Sequence, residues 1–250
     1  PRGSIPAVME MIDKVAIYDV EQALKPGFPT EAEAVLIVEV DGLEEGLEEE
    51  ARASEELLSE AGAKEVKRAR DDEERARIWR ARKEAFGAIG QISPSYYVQD
   101  GVIPRSSLPE VLDKIAQVGR KFSLTVANVF HAGDGNLHPL ILYRYDIPEE
   151  VENAHLAGEE ILSICVEYGG SLSGEHGIGL EKASWMDSLY SSEDLENMIR
   201  VREFFNPREL LNPGKIFPQP GRCAEVKHPA AVPEGMEKPR MVAAKSGIAV

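Results

Sequence analysis

The chain has 250 residues, 43% of them hydrophobic and 29% charged, and 44 acids against 28 lysines and arginines give a net charge of −16 at pH 7. That length suffices for one large domain or two small ones around a sizeable core. The acidic balance argues against a nucleic-acid binder or a protein seated on an anionic membrane face, since both need basic patches, and apolar runs such as Val35 to Val38 are far too short to span a bilayer.

The opening Pro-Arg-Gly-Ser lacks the charged head and long apolar core of a cleavable signal, and it starts without Met, so the expectation is a fragment or a trimmed chain. The two cysteines, Cys165 and Cys223, form no CxxC, which predicts a reducing, cytoplasmic compartment. Charge is uneven along the chain. Residues 31–60 hold twelve acids and one base, Arg52, and read as a solvated helix face. Residues 64–83 hold nine bases and five acids, with Arg77, Arg80, Arg82 and Lys83 on one predicted helix beside Trp79 and Phe86.

In chain order, the spacing of Val8, Met11, Ile12, Val15 and Ala16 predicts a helix over 7–24, ended by Pro26-Gly27-Phe28-Pro29. A buried strand is expected over 33–40, a helix over 43–61, a short strand over 63–69 and a long charged helix over 71–89. Residues 90–105 read as loop and strand with Val102-Ile103-Pro104 extended. Ser107 is a plausible N-cap for a helix over 108–121 that has Pro109 in its first turn. Strands follow over 124–131 and 137–144, then a helix from Pro148 to Tyr168, a glycine-rich loop over 174–179, and a last helix over 193–205 capped by Ser192. This order predicts an α+β fold, a ferredoxin-like plait with an antiparallel sheet and helices packed on one face. Residues 1–30 are expected to lead in from a missing domain, 31–218 to form the body, and 221–250 to be a mobile tail.

Three of the five histidines lie in two glycine-rich stretches, His131-Ala-Gly-Asp-Gly-Asn-Leu-His138 and Ser173-Gly-Glu175-His176-Gly177. Asp134-Gly135 between apolar segments is a hairpin signal. A turn centred there sets His131 opposite His138, on one side of the sheet, where two imidazoles can share a metal ion. The alternative is a pair of ordinary hydrogen-bonded histidines at a strand end. Glu175 can supply a third ligand, which a catalytic site with an open position commonly requires. His176 follows directly and, in an extended loop, would point the other way, toward substrate, as a base. The alternative for Gly-Glu-His-Gly is a loop with two solvated polar residues. The glycines do not form a dinucleotide fingerprint, because Gly174-x-x-Gly177-x-Gly179 has the reverse spacing and follows a helix.

Together with Ile78-Trp-Arg-Ala-Arg82-Lys-Glu-Ala-Phe86, Asp100-Gly-Val-Ile-Pro-Arg105 and Leu211-Asn-Pro-Gly-Lys-Ile-Phe217, these motifs resemble the C-terminal half of the FAD-linked oxidases of 2-hydroxy acids. The likeness is nearest to the FAD-linked subunit of glycolate oxidase, with D-lactate and D-2-hydroxyglutarate dehydrogenases as relatives. It implies a cap domain over a separate FAD-binding domain or subunit, a small 2-hydroxy acid substrate, FAD bound mainly elsewhere, a divalent metal (zinc, manganese or iron), and an iron–sulfur subunit as electron acceptor at the inner membrane. It also implies roles: His131, His138 and Glu175 as metal ligands, His176 as the base, Arg82 on the substrate carboxylate, and Asn212 as a flavin contact. A helix-terminating turn is the alternative for Asn212. Leu140 and Phe86, where some relatives carry polar residues, favour glycolate or lactate over a dicarboxylate. A metal-dependent hydrolase and a non-catalytic metal-binding docking module are the rival readings.

Overall fold

The structure is a computed structural model, which describes residues 6–218. The expected 221–250 tail therefore lies outside the described residues. The first element is not a helix. Val8–Asp13 is a strand, β1, and only Lys14–Leu24 is helical, α1. Val8, Met11 and Ile12 fit a helical period, but β1 pairs along its whole length with β2 (Ala34–Glu39) and at Met11 and Ile12 with β4 (Thr125–Phe130). The two-sided ladder overrides the local pattern. Asp13 makes the switch: its backbone is extended and its carboxylate accepts the Ala16 N–H at 3.0 Å, capping α1. The other carboxylate oxygen accepts the backbone and side-chain N–H groups of Asn128 at 2.8 Å each, which staples the start of α1 to β4.

The chain continues through α2 (Glu44–Glu60), α3 (Asp72–Ile89), β3 (Ser95–Val98), α4 (Leu108–Lys121), β4, β5 (Pro139–Tyr143), α5 (Pro148–Glu167), a single turn α6 (Met186–Leu189) and α7 (Ser192–Phe205). The five strands form one antiparallel sheet in the order β2-β1-β4-β5-β3. Residues 8–24 thus belong to the body of the fold and are not a lead-in to it. The α+β class holds, but helices cover both faces of the sheet. Ile12, Ala127, Val129, Leu140 and Leu142 pack with α1 and α3. Phe130 and Ile141 point the other way and pack with α4 and α5. Strand alternation produces this split, because successive side chains of β4 and β5 serve opposite cores.

Four other expectations need correction. The strand over 63–69 does not form: its alternating residues have no partner strand, and Arg68 instead ties the segment to Glu48 and Glu55 of α2. β2 is an edge strand whose sole buried residue is Ile37, not a buried strand. Ser107 is in the αR region of a 3₁₀ turn and makes no cap bond, while the last helix is capped one residue early, by Ser191 in a reciprocal capping box with Asp194. Among the described residues no helix is long and apolar enough to cross a membrane.

Helix α3 positions the site. Ile78, Ala81, Arg82, Ala85, Phe86, Ala88 and Ile89 recur at three- and four-residue intervals and face the sheet. Its alanines allow a close approach, and the one cation on this face, Arg82, is almost fully buried. Asp71 caps the helix by accepting the Glu74 N–H at 2.8 Å. The Trp79 indole N–H donates to Glu39 of β2 and so fixes the outer edge of the helix.

Candidate metal centre and active site

Alternation that puts Ile12, Val129 and Leu140 against α3 also puts Glu10, His131 and His138 on that face, at one end of the sheet. The β1–β4 register, Met11 to Phe130 and Ile12 to Val129, continues to Glu10 opposite His131, and Gly133 N–H bonds to Met9 O at 3.0 Å. On the other side His131 pairs with Asn136, not with His138. The turn spans 132–135, with His131 O accepting from both Asp134 and Gly135 N–H. Within it only Gly135 has a positive φ, +72°, so the expected type I′ turn is absent. The loop closes against the Val102–Ile103 segment instead. Ile103 N–H bonds to Gly135 O at 3.0 Å, and a Cβ on Gly135 would sit 2.1 Å from Ile103 O. The register is therefore shifted by two residues, which leaves each side chain on its original face. The two imidazoles meet diagonally, with centroids 5.2 Å apart.

Asp100 organises the second motif. It is fully buried and accepts from Ser173 Oγ (2.5 Å), Gly174 and Glu175 N–H (3.2 Å each), His176 N–H (2.9 Å) and Lys182 Nζ (3.3 Å). Burial alone would raise its carboxyl pKa, but these donors outweigh burial and hold it well below the usual carboxylate range. Three successive N–H groups turned toward one carboxylate coil the loop. As a result Glu175 and His176 do not diverge, as an extended loop would require: His176 Nε2 lies 3.6 Å from Glu175 Oε1. Gly174 is obligatory here, since a Cβ would meet the Asn136 amide carbon at 2.5 Å.

The result is a cluster centred on one oxygen. Glu175 Oε1 lies 3.0 Å from His138 Nε2, 3.5 Å from His131 Nε2 and 3.6 Å from His176 Nε2. Ligands bound tetrahedrally at about 2.0–2.1 Å to one ion stand about 3.4 Å apart, so the spacing fits a shared cation. His138 Nε2 is one of four buried side-chain atoms with no hydrogen-bond partner among the described residues. It lies 3.0 Å from Glu175 Oε1, a distance that suits a hydrogen bond, yet in an orientation that does not make one. A lone pair directed at an ion accounts for both facts. Burial, reinforced by His176 and His131, pulls the His138 pKa down to about 4, so its nitrogen is neutral and able to coordinate at neutral pH. Asp100, His138, Glu175 and His176 also fall within 4.8 Å of one another. That group leaves out His131, whose Nε2 is 3.5 Å from Glu175 Oε1, while Asp100, 3.7 Å from His138 Nε2, is already surrounded by its donors.

His176 stacks on His138 at 4.9 Å and 12° and is about half exposed. Phe86 of α3 meets the His138 ring edge-on at 6.2 Å. Arg82 is close by but engaged: its Nε and Nη2 reach Glu10 Oε2 at 2.9 and 2.8 Å, leaving Nη1 without a hydrogen bond among the described residues. Glu10 Oε1 takes His131 Nδ1 at 2.7 Å. Asn212 makes no contact with the cluster among the described residues. It forms a turn, with φ +45°, its carbonyl accepting from Arg202 Nη2 and its side chain from Lys215 Nζ. Ile216 N–H bonds to Gly179 O at 2.7 Å, so this turn is tethered to the loop that carries Glu175. Sequence reasoning gave no role to Glu10 or Asp100. Asp100 lay in a motif already noticed, whereas Glu10 carried no signal.

Fold and cluster together define an α+β domain with a histidine–carboxylate centre at a sheet end. Residues 2–216 match the family described as FAD linked oxidases, C-terminal domain, and the chain belongs to that family. It is 48% identical over 223 residues to the glycolate oxidase subunit GlcD of Escherichia coli K12, covering 89% of this chain and 45% of the relative. It is 33% identical to GlcD of Bacillus subtilis, covering 87% and 46%, and 31% identical to a probable mitochondrial D-lactate dehydrogenase of Danio rerio, covering 73% and 37%. The chain thus spans less than half the length of these relatives. Among solved structures, p-cresol methylhydroxylase aligns with a TM-score of 0.59 at 12% identity, over 84% of this chain and 46% of that one, a likeness of fold.

Proposed function

We propose that this chain is the substrate-side part of an FAD-linked 2-hydroxy acid oxidoreductase, with glycolate or D-lactate as substrate. The observation that carries the reading is the convergence of three imidazole Nε2 atoms on Glu175 Oε1, with His138 Nε2 lacking any hydrogen bond among the described residues. The names of the relatives, a glycolate oxidase subunit and a D-lactate dehydrogenase, support the substrate class. The flavin half, in this reading, comes from a further domain or subunit, and an iron–sulfur partner takes the electrons.

His131, His138 and Glu175 would hold the divalent ion, zinc, manganese and iron all being compatible with two imidazoles and a carboxylate. Such an ion would supply Lewis acidity toward the substrate, and FAD, bound by the other part, would supply the two-electron oxidant for the α-hydrogen. His176 is half exposed beside Glu175, and its Nε2 takes the hydroxyl proton. The α-hydrogen departs with its electron pair, leaving the 2-oxo acid. Arg82 offers Nη1 to the substrate carboxylate while Glu10 holds its other edge. Phe86, edge-on to His138, and Leu140, in the adjoining core, offer no polar group to a second carboxylate, which suits a small acid. The turn at Asn212 is the segment through which this chain would meet the flavin.

The test is His176→Ala in the enzyme assembled with its flavin part. Turnover of glycolate falls about 10²-fold or more, while bound metal stays stoichiometric because His176 is not a ligand. Near-normal turnover removes His176 from the role of base, and loss of metal makes it a ligand instead.

A further inference from the structure

Among the described residues, Glu10 is the one buried carboxylate that touches both a proposed metal ligand and the proposed substrate clamp. Its side chain is 7% exposed and its two oxygens have separate tasks. Oε1 accepts from His131 Nδ1 at 2.7 Å, and Oε2 accepts from Arg82 Nε at 2.9 Å and forms an ion pair with Nη2 at 2.8 Å. It reaches His131 across 121 residues, because the β1–β4 register sets the two opposite each other. His131 needs such a partner. It begins the 132–135 turn, its side chain is 31% exposed, and no other hydrogen bond to its Nδ1 exists among the described residues. An imidazole that donates Nδ1–H to a fixed carboxylate keeps its lone pair on Nε2, the atom facing Glu175.

From this geometry we propose that Glu10 is a positioning residue. Braced by Arg82, it fixes the ring orientation and tautomer of His131, so that Nε2 is ready to bind a divalent cation. The proposal rests on the metal reading of the site given above. The bland alternative is that Glu10 and Arg82 are merely a buried ion pair that holds α3 on the sheet.

Removing Glu10 alone would strand the buried Arg82 charge and could unfold the chain, so the test uses double variants of the full chain. Glu10→Gln with Arg82→Met keeps an acceptor for Nδ1–H. Glu10→Met with Arg82→Met fills similar space without one. Zinc titration should give the Gln variant an affinity within about threefold of the unaltered chain and the Met variant one about 10- to 100-fold weaker. Both variants must melt cooperatively. Long-range ¹H–¹⁵N spectra of the zinc-free proteins should show His131 protonated on Nδ1 in the unaltered chain and the Gln variant, and redistributed toward Nε2 in the Met variant. A Met variant with unaltered tautomer, or with unaltered zinc affinity, overturns the proposal. If the unaltered chain binds no zinc at all, the metal reading fails, and the tautomer spectra still decide the role of Glu10.

Discussion

The two ends of the sheet bury a carboxylate in opposite ways. At the site end Asp100 is fully buried yet surrounded by a hydroxyl, three backbone N–H groups and the Lys182 ammonium, and it stays ionised. At the other end Asp19 of α1 is 6% exposed, lies near Thr125, Tyr143 and Arg144, and has no hydrogen bond among the described residues. Arg144 is turned away to Asp146, at 3.0 Å. Burial, with the Asp13 charge nearby, raises the Asp19 pKa to about 6. The contrast shows where this fold fixes charge. Donors converge where a loop must be held beside a reactive cluster, and at the far end a buried charge persists without support.

The largest effect that would break this contrast is Asp100→Ala. It leaves Lys182, itself 5% exposed, without its carboxylate and frees the N–H groups of 174–176. We expect about 3–5 kcal/mol of destabilisation in urea melts, with amide exchange accelerating first at Glu175 and His176. Next comes Gly174→Ala, where the new Cβ meets the Asn136 amide. Stability should fall by about 1–3 kcal/mol, and metal affinity should fall with it as Glu175 is pushed from the histidines.

Asp19→Asn acts in the opposite direction. Ionised Asp19 costs stability at neutral pH, because its folded pKa of about 6 exceeds the ordinary 3.8. The variant should therefore be more stable at pH 7 by roughly 1–2 kcal/mol after allowance for solvent screening. That gain should shrink as pH falls from 6 and vanish below 3.8, where the aspartate is protonated in both states. A comparable effect is the acid response of the metal-free cluster. His138 is held at about 4 against an ordinary 6.5, so its neutral form loses out as the unfolded chain takes up protons. Stability should drop as pH falls from 6.5 to 4, and His138→Gln should flatten that slope in metal-free protein. Over the same range the two ends of the sheet therefore pull stability in opposite directions.

What the sequence revealed follows from range. His131, His138, Glu175 and His176 stood out because each sits in a short glycine-rich motif, and the face shared by the first two survives a register shift of two, since side chains alternate with period two. The shift itself was hidden, because it depends on Ile103, which meets Gly135 only in the folded chain. Glu10 was illegible for a compound reason. Its segment carries helical spacing but is a central strand, and its partners lie 72 and 121 residues away. The false strand over 63–69 failed in the reverse sense, having local alternation but no neighbour to pair with.

The most direct measurement is an anomalous scattering map, at the zinc edge, of crystals of this chain grown with zinc. One peak should appear about 2.0–2.2 Å from His131 Nε2, His138 Nε2 and Glu175 Oε1, with Asp100 still bound to Ser173 and Lys182 and His176 unligated. A map with no peak among these residues, or a peak held by Asp100 and His176 with His131 turned away, would contradict the assignment.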